Sequence, residues 1–120
     1  MNGAGTYVVL GNSSNNNALL YSGTTLVATL TPTNGIGSPL MGTSVTMSRT
    51  GNIICVGGYG DNSSAGAVWV YGYDLSTTVT PLTKITDASV TFLGRSVYTS
   101  NGRYIMIGAT NAVNQYQLDN

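Results

Sequence analysis

Apolar residues in this chain fall into short runs rich in β-branched and aromatic side chains, with no 3.6-residue period, and Gly, Asn and Ser fill the gaps. That pattern predicts β-strands joined by tight turns. Three runs align: Tyr7-Val8-Val9-Leu10-Gly11, Ile53-Ile54-Cys55-Val56-Gly57 and Tyr104-Ile105-Met106-Ile107-Gly108. Their closing glycines lie 46 and 51 residues apart. A further glycine stands just ahead of each run, at Gly5, Gly51 and Gly102, as a hairpin turn with positive φ requires. The runs are continuously apolar rather than alternating. This predicts a strand buried on both faces.

Other segments recur around this strand, labelled b. The strand before it, a, occurs twice, as Met41-Gly42-Thr43-Ser44-Val45 and Leu93-Gly94-Arg95-Ser96-Val97. The strand after it, c, is clearest at Gly66-Ala67-Val68-Trp69-Val70-Tyr71, with shorter copies at Ala18–Tyr21 and Val113–Tyr116. A fourth strand, d, occupies Thr24–Leu30 and Thr77–Ile85. The chain then reads b-c-d, a-b-c-d, a-b-c, with repeat units near 1–35, 36–87 and 88–120 inside one domain spanning 1–120. Four antiparallel strands per unit of about 50 residues predict an all-β fold of β-propeller blades.

The run "Gly-x-Ser-Val, Ser-x-Gly, apolar-x-apolar-Gly, Gly-Ala-Val-Trp-Val-Tyr", best seen from Met41 to Tyr71, resembles the FG-GAP-like repeat of integrin-α-type β-propellers. The resemblance implies a propeller fold. Many members of that family carry an acidic calcium loop between strands a and b. Here those positions read Ser48-Arg49-Thr50-Gly51 and Ser100-Asn101-Gly102, with no carboxylate, so calcium is not implied.

Ten strands make a partial propeller, whereas closed rings typically have 4 to 8 blades. Uncapped repeats expose apolar faces and sheet edges. The expectation is closure by homo-oligomerisation, as a homodimer forming a five- or six-bladed ring or a homotrimer. A small sandwich with internal duplication, and a piece of a longer protein, are the competing readings.

Composition narrows the function. Charged residues make up 7% of the chain and the net charge is zero. A nucleic-acid partner would want a basic footprint, and an anionic membrane surface a polybasic run; neither is present. No segment has the form of a signal peptide or a membrane span, and the compartment stays open. His and Glu are absent, which removes the usual general bases and the Ser-His-Asp and Cys-His triads. No metal or cofactor is expected. The single cysteine, Cys55, lies in an apolar run and reads as core.

Candidate contact residues lie in loops. The b–c loops hold Asn12 and Asn15 in one unit and Tyr59, Asp61 and Asn62 in the next. Propeller b–c and d–a loops share one face, where amides and an aromatic ring can hydrogen-bond a glycan or a protein backbone. Arg95, placed in strand a, is expected near the ring axis. Arg49 and Arg103 occupy a–b turns on the opposite face as candidate anion contacts. The first expectation is a non-enzymatic structural or interaction module, of a composition like that of viral particle proteins. The alternatives are a carbohydrate-binding lectin with repeated pockets and, last, an enzyme with a site at a subunit interface.

Overall fold

A computed structural model describes residues 1–118. These residues form ten strands in three antiparallel sheets, none of which closes on itself. The first sheet is β1 (Tyr7–Asn12), β2 (Asn17–Ser22) and β3 (Thr25–Leu30). The second is β4 (Ser44–Met47), β5 (Ile53–Gly58), β6 (Ala67–Tyr73) and β7 (Val79–Ile85). The third is β8 (Ser96–Thr99), β9 (Tyr104–Ala109) and β10 (Ala112–Gln117). Each sheet is a meander in chain order, so the strand order b-c-d, a-b-c-d, a-b-c is the observed one.

Strand a departs from its expected position. Residues 41–43 turn, Leu93 makes only an isolated bridge with Gly66, and β4 and β8 begin three residues later than expected. Gly42 (φ 104°) and Gly94 (φ 95°) are left-handed, which breaks the extended run ahead of each serine. Arg95 therefore sits in the turn before β8 and not within the strand.

The second sheet is packed on both faces. In β5, Ile54 and Val56 join a core shared with the first sheet, while Ile53 and Cys55 join a core shared with the third. Strand β6 divides the same way: Trp69, Tyr71 and Tyr73 face the first sheet, and Val68 and Val70 face the third. Side chains alternate across a strand, so two-sided burial demands apolar residues at every position. Val9, Ala18, Leu20 and Leu30 answer from the first sheet, and Ile105 and Ile107 from the third. Each fully buried Val, Leu or Ile side chain stabilises the fold by about 1.5–3 kcal/mol. Tyr7 and Tyr73 add an edge-to-face contact across the first junction, with centroids 5.3 Å apart.

Burial also fixes the chemistry of Cys55. It is fully enclosed, and loss of water pushes its thiol from an ordinary value of 9.0 up to about 12. Tyr71 moves in the same direction, from 10.0 to about 12, chiefly through burial. Well below pH 9 both groups are neutral in folded and unfolded chains, and their contribution to stability is fully present. As pH rises towards 12, the unfolded chain ionises first and stability falls. Urea midpoints are therefore expected to drop between pH 7 and about pH 10.5, with a shallower drop in Cys55→Ala. Native Cys55 is expected to resist alkylation until the chain unfolds.

Candidate functional site

The b–c and d–a loops lie together on one face. Asn62 N–H donates to Ile36 O (2.9 Å), Phe92 N–H to Ser64 O (2.8 Å) and Thr110 N–H to Thr91 O (3.0 Å). Leu40 N–H donates to the Asn16 side chain (2.7 Å). The a–b turns meet on the other face, where Gly3 N–H donates to Arg49 O (2.7 Å) and Arg49 N–H to Ser100 O (2.8 Å).

Within the loop face the expected residues separate into different environments. Asn12 ends β1 half-buried, and its Oδ1 accepts a hydrogen bond from Ser14 Oγ at 3.1 Å. Asn15 is exposed in the short turn Ser13–Asn15. Asn62 is exposed and left-handed (φ 51°), followed by Ser63 (φ 55°) and Ser64 (φ 73°). Asn tolerates this region better than most residues, which explains its place in the turn.

Asp61 does not face solvent. Its residue exposure is 1%. Its Oδ1 accepts the Ile36 N–H at 2.8 Å, and its Oδ2 lies 3.0 Å from Lys84 Nζ. Lys84 also donates to Asn34 O (2.7 Å) and stands 5.5 Å from the Trp69 ring centroid. Trp69 Nε1 donates to Thr33 O (2.8 Å), and Tyr71 OH donates to Thr31 O (2.6 Å). Asp61 thus fastens the 31–37 loop to the second sheet. Asp61 is therefore buried rather than solvent-facing, with Oδ1 hydrogen-bonded and Oδ2 paired with the Lys84 ammonium.

Tyr59 and Arg95 do come together. With Thr43 and Phe92 they line a shallow depression on the loop face. The Tyr59 and Phe92 rings meet edge to face, with centroids 5.7 Å apart, and Arg95 Cζ lies 5.8 Å from the Phe92 centroid. Sequence reasoning missed Phe92. Its signal was its position two residues before Gly94, which matches Leu40 before Gly42; both are left-handed, at φ 57° and 55°. Two aromatic edges beside a guanidinium can stack an apolar ring while pairing an anionic or hydroxyl oxygen.

Arg49 and Arg103 are exposed on the opposite face, Arg103 above the Tyr104 ring at 5.7 Å. Among the described residues, the ion pair of Asp61 with Lys84 is the one salt bridge, so Arg49, Arg95 and Arg103 lack acidic partners there.

The outer faces of the first and third sheets are unpartnered among the described residues. The first presents Val8, Leu10, Leu19, Tyr21 and Leu26; Leu10 and Leu26 are each 49% exposed. The third presents Tyr98, Tyr104, Met106 and Val113, exposed at 62%, 40%, 40% and 71%. These positions repeat buried ones. Tyr104 and Met106 align with Ile53 and Cys55, which are buried against the third sheet. Val8 and Leu10 align with Ile54 and Val56, which are buried against the first. The chain matches no family model and no curated protein sequence.

Proposed function

We propose that this chain is a self-assembling β-propeller module with a structural or binding role rather than a catalytic one. The observation that carries the reading is the register match between its end faces and its internal junctions. Inside one chain, the Ile53/Cys55 type of face meets the Ile105/Ile107 type, and the Val9 type meets the Ile54/Val56 type. The outer face of the third sheet is of the first kind, and the outer face of the first sheet is of the second kind. A second copy brings the complementary face to each. Two copies of three sheets give a six-bladed ring, within the usual 4 to 8; three copies would give nine, beyond it. The geometry favours the dimer over the trimer. The likeness to FG-GAP-like repeats and the charge-poor composition, like that of viral particle proteins, agree with an assembly role.

Light scattering is expected to give twice the chain mass of 12.4 kDa. Met106→Arg and Leu10→Arg each place an unpaired charge in the junction and are expected to weaken the dimer about a hundredfold or more while leaving the chain folded. A wild-type monomer at all concentrations, or a Met106→Arg dimer of unchanged affinity, overturns the reading.

The depression formed by Tyr59, Phe92 and Arg95 favours a second reading, a propeller that binds a protein or glycan through its loop face. Binding on a glycan array, lost in Arg95→Ala, is the expected result for a lectin; a blank array removes it.

A further inference from the structure

In the second and third sheets the edge strands β4 and β8 are entered through one repeated device. Gly42 N–H donates to Gly57 O, and Gly94 N–H donates to Gly108 O, both at 3.0 Å. Ser44 stands opposite Gly57 in the ladder, and Ser96 opposite Gly108. A Cβ on either glycine would collide with the Oγ of that serine. The bare glycine is therefore the seat of the serine. Beyond the serine the ladder pairs Val45 with Val56 and Met47 with Ile54, and these side chains enter the first core.

Strand β1 has the same seat with no strand upon it. Gly11 pairs with Ala18 as Gly57 pairs with Val68. The turn ahead of β1 copies the one ahead of β5. Asn2 N–H donates to Tyr7 O (3.0 Å) and Asn2 Oδ1 accepts Tyr7 N–H (3.0 Å). Ser48 N–H donates to Ile53 O (2.9 Å) and Ser48 Oγ accepts Ile53 N–H (3.1 Å). In antiparallel pairing, alternate residues aim both backbone groups at the same edge. Tyr7, Val9 and Gly11 thus face the edge away from β2. Asn2 serves Tyr7, while Val9 and Gly11 have no strand beside them among the described residues. An edge of this kind accepts an added strand.

We infer that this edge binds an extended segment of a separate polypeptide with the pattern apolar-Gly-x-Ser-apolar-x-apolar. The segment adds antiparallel to β1, with its serine on Gly11 and its next residues opposite Leu10, Val9 and Val8. The glycine is required because both internal copies are left-handed there, at φ 104° and 95°. The serine is required because a larger side chain would have to share the space over Gly11 with the Gly42 backbone, which a Cβ on Gly11 already meets. Backbone hydrogen bonds supply affinity and the Gly-x-Ser pair supplies selection. The inference concerns one copy of the chain and does not need ring closure.

The test adds a synthetic peptide, Leu-Met-Gly-Thr-Ser-Val-Thr-Met-Ser, to the whole isotope-labelled chain and reads amide exchange by NMR. At about 1 mM peptide, Val9 and Gly11 amides are expected to exchange at least tenfold more slowly. A peptide with valine in place of its serine is expected to bind at least about tenfold more weakly. Unchanged exchange at Val9 and Gly11, or equal binding of the valine peptide, overturns the inference. Oligomeric mass measured on the same samples reports on ring closure separately.

Discussion

Gly57→Ala is expected to cost at least about 4 kcal/mol, or to prevent folding altogether, although it adds one methyl group. A Cβ at Gly57 would collide with the Gly94 carbonyl oxygen on one side and Ser44 Oγ on the other. The serine can rotate, but the carbonyl belongs to a backbone already fixed by the Gly94–Gly108 hydrogen bond. Relief requires the second and third sheets to separate, and the core they share contains Cys55, Val68, Val70 and Ile107, all fully buried. Folded domains of this kind hold about 5–15 kcal/mol in total, so the loss is a large share. Gly23→Ala is the control. Its Cβ would meet nothing within 4 Å, and its φ of 60° leaves a backbone cost of about 1–2 kcal/mol. Urea denaturation of both variants checks the ranking; a Gly57→Ala protein within about 1 kcal/mol of wild type would show that the junction yields.

That glycine also shows why so much of the fold was legible. In β5, strand b had to be apolar at every position because both faces are buried, whereas β1 and β9 carry the same pattern with one face exposed. At Gly11 and Gly57 it had to end in Gly because a neighbouring sheet's backbone passes over that residue. Both demands leave marks in the sequence at fixed spacing. Other features leave none. Nothing in the sequence pairs Asp61 with Lys84, since the loop that covers them comes from residues 31–37 and no local pattern joins the three. Met41 and Leu93 look like strand residues, so the pattern starts strand a three residues too early, while the left-handed glycine after each ends the extended run. The outer faces are the most instructive case. Tyr104 and Met106 carry the same apolar pattern as Ile53 and Cys55, and the sequence cannot say which copy meets a neighbour within the chain. Of the candidate contacts, Tyr59 and Arg95 converge, but the ring that joins them, Phe92, stood in a turn with no motif of its own.

Trp69→Ala is expected to destabilise the chain by about 3–5 kcal/mol and to release the 31–37 loop in the same step. Trp69 is 1% exposed and fills the junction between the first two sheets. Its Nε1–H holds Thr33 O at 2.8 Å, and its ring supports the Lys84 ammonium at 5.5 Å. Removing the ring leaves a cavity and takes away one wall beside the Asp61–Lys84 pair. That pair then becomes more hydrated, so its hold on Ile36 N–H and Asn34 O weakens as well. Trp69→Phe separates the two effects. It retains much of the apolar volume and loses the donor to Thr33 O, for an expected cost of about 1–3 kcal/mol. Exchange at the Ile36 and Asn62 amides reads the loop directly, because both bonds join it to the Asp61 turn. Fast exchange at both in Trp69→Ala, and intermediate exchange in Trp69→Phe, is the expected order. If those amides stay protected in Trp69→Ala, the ion pair and the Tyr71–Thr31 bond hold the loop without the tryptophan, which then serves packing between sheets.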